Sequence, residues 1–310
     1  MLLRLRLLLL LCLACLAGQA AAAEPVVAIV ASELGGSYTE AVEALTTELE
    51  RGGIARKDIQ VLKTLDLAGG TGPAPKLFVT LGAEAARALA RRSDAAPVLC
   101  ALLPREAFEQ VLRESGRRVS GDFAALYLDQ PIARQLDLLR LALPQARKIG
   151  MLWGPDFQAW AAGVEAAVKG RGWQFTGVRT EPGEPVYPSL KKVLEDADVL
   201  LAVPDRQLYN STSIQNILLA SFRARVPMVA FSPAYVRAGA LLALYTTATQ
   251  TGHQAGSMAL GALRQRQPAI VSQYPQEFTV GVNDNVARSL GLALDGAALT
   301  EALRRQERGR

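Results

Sequence analysis

Short apolar runs rich in Val, Leu and Ala alternate along this chain with longer segments in which apolar residues recur every three or four positions. The first pattern is that of buried strands and the second that of amphipathic helices. Residues 25–31 form the first run. Behind it, Ser37-Tyr-Thr-Glu40 has capping-box spacing, in which the Ser37 hydroxyl and Glu40 carboxylate would satisfy open amides at a helix start. The stripe Tyr38, Val42, Leu45 and Leu49 carries that helix to Gly52-Gly53. Strands are expected at 59–62, 77–81 and 97–103, a loop at 66–76, and helices from Gly82 and over 105–115. The pattern restarts with a strand at 148–153 and a helical stripe of Phe157, Trp160, Ala161, Val164 and Val168. Further strands are expected at 173–178, 198–203, 226–231 and 241–245, with helices near 186–195 and 213–224. A further helix is predicted from Thr251, with Ala255, Met258, Ala259 and Ala262 at core spacing. Strands alternating with helices predict βαβ units and parallel sheets, here one design run twice with a boundary near 128–147.

In such sheets ligands sit off the carboxyl ends of strands, where βα loops and helix N-termini gather. That rule selects 32–38, 82–84, 153–157, 204–212, 232–235 and 246–250 as walls of one cleft. The candidate ligand-binding residues are Ser32, Ser37, Tyr38, Gly82, Ala83, Trp153, Phe157, Asp205, Tyr209, Ser232, Tyr235 and Thr247. Asp205 follows the apolar run 199–203, and a carboxylate there can accept from a ligand amine or hydroxyl, or cap a turn instead. The four aromatics can stack on a ring-bearing ligand or fill the core.

Composition narrows the function. Arg4 and Arg6, the apolar run 7–17 and Ala21-Ala22-Ala23 read as a secretory signal over 1–23, which places the protein in the periplasm. Leu13-Ala14-Cys15 offers a lipid anchor at Cys15 as the alternative, although Cys12 stands where an aliphatic residue is wanted. The formal net charge of +5 includes the two leader arginines, and the remaining basic pairs lack interleaved aromatics, so no nucleic-acid partner is expected. Beyond the leader Cys100 is the one cysteine, inside an apolar run, and reads as a structural thiol. His253 is the only histidine, so a zinc site lacks its ligands and any histidine-based triad would have to use it; it reads as a solvated residue in the first turn of its helix. G-x-S-x-G and the P-loop lysine motif are both missing, and Gly70-Thr-Gly72-Pro73 precedes prolines rather than a helix. No metal, cofactor or catalytic residue is assigned.

Several segments together resemble a family. They are DADVLLAVPDRQLYNSTSIQNILLASFRARVPMVAFSPAYVRAGALLAL, TGHQAGSMALGALRQRQPA and EFTVGVNDNVARSLGL in the second half, with LFVTLGAEAARAL and LDLLRLALPQARKIGMLWGP before them. They resemble the periplasmic substrate-binding proteins of ABC transporters, in the group that includes binders of aromatic amino acids. The resemblance implies a type I periplasmic-binding-protein fold, α/β, with two Rossmann-like lobes of parallel sheet joined by interlobe crossings. Lobe 1 would hold 24–127 and 248–276, and lobe 2 would hold 128–247 and 277–310. It also implies a small-molecule ligand trapped by hinge closure, an ABC permease of the inner membrane as partner, a monomer and no catalysis. Two departures stand out: Leu103-Pro104-Arg105 replaces an expected Asp-Pro, and Thr247 falls where an acid for a ligand amine is common. They leave open an envelope protein partner instead of a solute, and, on the doubly wound fold alone, an exported enzyme.

Overall fold

The computed structural model of the protein describes residues 25–69, 74–92, 96–264 and 269–309. The leader at 1–23 with Cys15, and the Gly70-Thr-Gly72-Pro73 turn, lie outside them. Two sheets organise the described chain. The first is parallel, with strand order β2-β1-β3-β4-β5 built from β1 (Val27–Ala31), β2 (Ile59–Lys63), β3 (Leu77–Leu81), β4 (Val98–Leu103) and β5 (Phe123–Tyr127). Every residue of β1 and β3 is buried, because both faces of the sheet are covered. Helix α1 (Gly36–Arg51) covers one face through Ala41, Leu45 and Leu49 against Ile29, Val79 and Leu99. Helices α2 (Ala83–Ala90) and α3 (Arg105–Ser115) cover the other through Ala86, Leu89 and Phe108 against Val30, Phe78 and Phe123.

The second sheet has the order β11-β10-β9-β8-β6-β7. Its strands are β6 (Lys148–Trp153), β7 (Gln174–Arg179), β8 (Val199–Leu201), β9 (Met228–Ala230), β10 (Leu242–Tyr245) and β11 (Thr279–Val282), all parallel except the β10–β11 pair. Around it lie α4 (Ile132–Ala142), α5 (Gln158–Lys169), α6 (Val186–Glu195), α7 (Ile214–Arg223), α8 (Pro233–Ala238), α10 (Asp284–Ser289) and α11 (Gly296–Arg308). Helix α9 (Ala248–Leu263) follows β10 but packs back on the first sheet, with Ala255, Ala259 and Leu260 in the cluster that holds α1.

Several expectations need correction. Helix α1 begins at Gly36 with Gly35 as N-cap, so Ser37 lies inside the first turn and forms no capping box. Gly35 and Gly36 both take positive φ, which turns the chain into the helix early, and the Gly35 amide donates to Thr39 Oγ1 instead. Helix α9 begins at Ala248, not Thr251, because Thr247 and Gln250 form a reciprocal capping box one turn earlier. His253 is therefore in the second turn, half-buried, with Nδ1 3.5 Å from Glu48 Oε2 on α1. Residues 66–69 of the expected loop belong to a 3-10 turn over Thr64–Gly69, and the 128–147 boundary contains α4. Cys100 is fully buried in β4, and burial pushes its thiol up to about 12.

Three described stretches pass between the sheets: 128–131, 246–247 and 275–278. They meet at Arg134, whose guanidinium lies 4.4 Å from the Phe278 ring centre. Arg134 Nη1 donates to Gln130 Oε1 (2.8 Å) and Pro275 O (2.8 Å), and its Nε and Nη2 donate to the Glu307 carboxylate (2.6 and 3.1 Å). Gln130 Nε2 then donates to Thr246 Oγ1 (2.7 Å), which donates to Glu277 O (2.9 Å).

The α1–α9 contact is close because Gly252 and Gly256 face α1. A Cβ at Gly252 would stand 2.4 Å from Ala41 O and 2.8 Å from Ala44 Cβ. We expect Gly252→Ala to lower the unfolding free energy by about 1–3 kcal/mol through overpacking. Gly261→Ala, in open space on the same helix, should instead be neutral or raise it by up to about 1 kcal/mol. Urea midpoints check the pair, and equal effects at the two positions would contradict the packing described.

Candidate functional site

Strand order fixes where a site can form. In the first sheet the connections leaving β1 and β3 go to opposite faces, as the separate clusters of α1 and α2 show. In the second, β6 has β7 on one side and β8 on the other. A crevice opens at each such switch point, beyond the carboxyl ends of the strands. The two crevices face one another across a cleft of about 570 Å³, within the range of small-molecule sites.

From the first sheet come Ser32, Glu33 and Tyr38 after β1, and Ala83, Glu84 and Arg87 after β3. Ser32 Oγ accepts from the Ala85 amide (3.0 Å), which ties the β1 loop to the first turn of α2. Gly82 lies directly behind: a Cβ there would stand 2.6 Å from Ser32 Oγ and 2.7 Å from the Tyr38 hydroxyl, and its φ is +90°. Only glycine fits. Burial first, and then the Glu33 charge, raise the Tyr38 phenol above its ordinary value, while Ser32 and Arg206 pull it down. Tyr38 thus remains a neutral donor, and Arg206 of the opposite wall is near enough for its charge to be felt. Leu102, at the end of β4, holds φ +57° beside a register shift against β5 and also lines the cleft. Such backbone strain gathers at functional sites.

From the second sheet come Asp156 and Phe157 after β6, and Pro204, Asp205, Arg206 and Gln207 after β8. Asp205 is buried and joins the two loops: Oδ2 accepts from the Gly154 amide (2.7 Å) and Oδ1 from the Gln207 amide (2.9 Å). Arg206 and Gln207 next to it are exposed towards the cleft.

Of the residues expected from the sequence, Ser32, Tyr38, Ala83, Phe157 and Asp205 line this cleft and Gly82 backs it. The others stand apart from its walls. Ser37 is exposed on α1. Trp153 is buried against Phe175, and its Nε1 donates to Gln158 Oε1 (3.1 Å). Tyr209 is buried edge-on to Phe231, its hydroxyl unbonded to protein, and Tyr235 donates to Tyr209 O (2.9 Å). Ser232 precedes α8 without a side-chain cap bond, and Thr247 caps α9. The segments after β9 and β10 lie away from the switch points, which is why their candidates do not join the walls.

A second compartment of about 290 Å³ adjoins the cleft on the side of the crossings, sharing Glu106, Asp156 and Phe157 with it. Phe157 and Trp160 meet there edge to face, 6.4 Å between centres. Arg105 at the start of α3 donates to Glu109 Oε1 (2.7 Å) and the Tyr274 hydroxyl (3.0 Å). Asp129, from the first crossing, accepts from the Arg105 amide. The sequence reading missed Arg206, Gln207, Glu33 and Asp156 as individuals, although all four lie inside or beside segments that the strand-end rule selects. Arg105, Asp129 and Tyr274 lie outside the selected segments: Arg105 opens a helix whose preceding strand end is not among them, and Asp129 follows β5, which the apolar pattern does not mark.

Comparison with known proteins bears on this arrangement. A family model described as ABC transporter substrate binding protein matches residues 57–305. No curated protein sequence matches the chain. Among solved structures, it is similar to a ligand-free, open substrate-binding protein with adhesive properties from Clostridium difficile, at 14% identity and TM-score 0.69, covering 87% of this chain and 95% of that one. It is similar also to an ABC domain in complex with L-Trp from Streptococcus pneumonia, at 15% identity and TM-score 0.63, covering 90% and 98%. At these identities the structures establish the fold, two α/β lobes of the type I periplasmic-binding-protein kind.

Removing the Asp205 carboxylate leaves two amides without acceptors, at about 1–3 kcal/mol for a buried unsatisfied group. Asp205→Ala should therefore lower thermal stability clearly, while Asp205→Asn, which keeps one acceptor, should cost less. A neutral Asp205→Ala in calorimetry would contradict the role of joining the two loops.

Proposed function

The chain belongs to the ABC transporter substrate-binding protein family, and from that premise we propose that it captures a small molecule in the interlobe cleft and delivers it to an inner-membrane ABC permease for import. The observation that carries this reading is the meeting of both switch points across one cleft of about 570 Å³. Each wall offers groups to a ligand: the Tyr38 hydroxyl as a neutral donor beside Ser32 from one side, Arg206 and Gln207 from the other, and Phe157 as an apolar surface. Asp205 already holds two main-chain amides, so it acts in this reading by shaping the walls rather than as the principal ligand acceptor, while Thr247 caps α9 apart from them.

The reading divides the chain into a first lobe of 24–127 with 248–276 and a second of 128–247 with 277–310. Ligand contacts made by both lobes stabilise the closed form over the open one, since a ligand shifts an equilibrium only by its differential affinity. Arg134 and its partners join the crossing segments, so the lobes can turn about them while each core stays intact. Periplasmic residence, delivered by the 1–23 leader, and a monomeric state complete the proposal.

A panel of small metabolites tests it by thermal shift. A bound solute at about one hundred times its dissociation constant adds about 2.7 kcal/mol to stability by mass action, which raises the melting temperature by several degrees. Arg206→Ala and Tyr38→Phe, both altering cleft-facing groups, should abolish or reduce that rise while leaving the ligand-free melting temperature nearly unchanged. A shift that survives both variants undiminished would move the site elsewhere, and a broad panel without any shift would remove the solute-binding role.

A further inference from the structure

The second compartment gathers carboxylates from parts of the molecule that move relative to one another when a two-lobed protein closes. Glu106 and Glu109 stand on α3 against the first sheet, Asp156 stands in the turn before α5 against the second, and Asp129 belongs to the crossing between them. We propose that opening and closing of the cleft is proton-linked through these carboxylates, closure being favoured as pH falls. The proposal rests on the hinge-closing reading given above, but its test needs no ligand.

Geometry supplies the argument. Glu109 is paired with Arg105 at 2.7 Å and Glu106 with Arg113 at 2.8 Å. The titratable and charged groups that share the compartment with Asp129 are Arg105, Glu106 and Glu109 from α3, Tyr274 just before the third crossing, and Asp156 after β6. Only Arg105 among them is positive, and it is already engaged by Glu109 and Tyr274. Asp156 has its charge opposite Glu106: burial first raises the Glu106 carboxyl above its ordinary value, and the Asp156 charge raises it further against the pull of Arg113. Closing the lobes brings these like charges nearer and removes water between them, so ionised carboxylates oppose closure.

Asp129 is the group placed to titrate in the neutral range. Burial pushes its carboxyl up to about 6, against the Arg105 amide and guanidinium, which pull it down. The sign follows. A carboxyl whose folded value lies above the ordinary 3.8 holds its proton more tightly in the folded chain. Its contribution to stability is present at low pH and is lost as pH rises from about 4 through about 6. A closed state encloses the carboxyl more than an open one, so closure takes up a proton over the same window. Nothing in the solute-binding reading alone requires this.

Small-angle scattering of the ligand-free full chain at about pH 5 and about pH 7.5 reads the effect, in a radius of gyration near 19 Å for a chain of this length. We expect the radius to fall by roughly 0.5–1 Å on acidification, on the scale of a hinge movement in a chain this size. Asp129→Asn keeps an acceptor for the Arg105 amide, and the exposed Asp156→Asn disturbs no core. The double variant should show the compact value at both pH values. A radius that does not change with pH, that grows on acidification, or that changes equally in wild type and double variant overturns the proposal. Each of those outcomes leaves ligand-induced stabilisation untouched, so the two readings fail separately.

Discussion

One buried guanidinium holds together the chain that passes between the two sheets. Arg134 binds Gln130 of the first crossing and Pro275 O of the third, and through Gln130 it reaches Thr246 of the second. Glu307 on the last helix balances its charge with two bonds, and Phe278 packs against its face. Bidentate pairing satisfies the guanidinium geometrically, and removing the partly exposed Glu307 would leave the buried Arg134 short of two acceptors, at about 1–3 kcal/mol. That is a sizeable share of the roughly 5–15 kcal/mol that keeps a domain folded. A node of this kind keeps the crossings together while the cores on either side remain separately packed.

Those cores explain why the cleft lies where it does. The first sheet is sealed on one face by α1 with α9 and on the other by α2 and α3. The second sheet carries its own cluster, from Leu136 to Leu303. With both sheets covered on their faces, free polar groups collect at the strand ends. The two switch points turn those ends towards each other, with Asp205 joining the β6 and β8 loops and Ser32 joining the β1 loop to α2. The walls are therefore tied locally by hydrogen bonds.

Much of this was legible in the sequence. The runs at 77–81 and 148–153 and the helices at 105–115 and 186–195 have the bounds their patterns suggest, because buried parallel strands and amphipathic helices leave strong periodicities. Capping signatures were less secure. Ser37-x-x-Glu40 has the right spacing but sits one residue inside a helix that two glycines begin, whereas Thr247-x-x-Gln250 is a true box that the Thr-rich stretch concealed. The strand-end rule found the walls as segments but could not tell which side chains face the cleft. Asp205 and Tyr209 show why: four residues apart, one lines the cleft and the other is buried against Phe231, and only the turn geometry of 204–209 decides. Thr247, where an acid is common among the proteins the chain resembles, caps α9 at the second crossing.

The account's central claim is that a small molecule occupies the cleft between the lobes. Native mass spectrometry of the purified chain, before and after incubation with a metabolite extract, addresses it most directly. The account predicts one small molecule retained per folded chain, released on unfolding, and not retained by a variant carrying Tyr38→Phe and Arg206→Ala. A bare chain mass under both conditions, or a molecule retained equally by that variant, would contradict it.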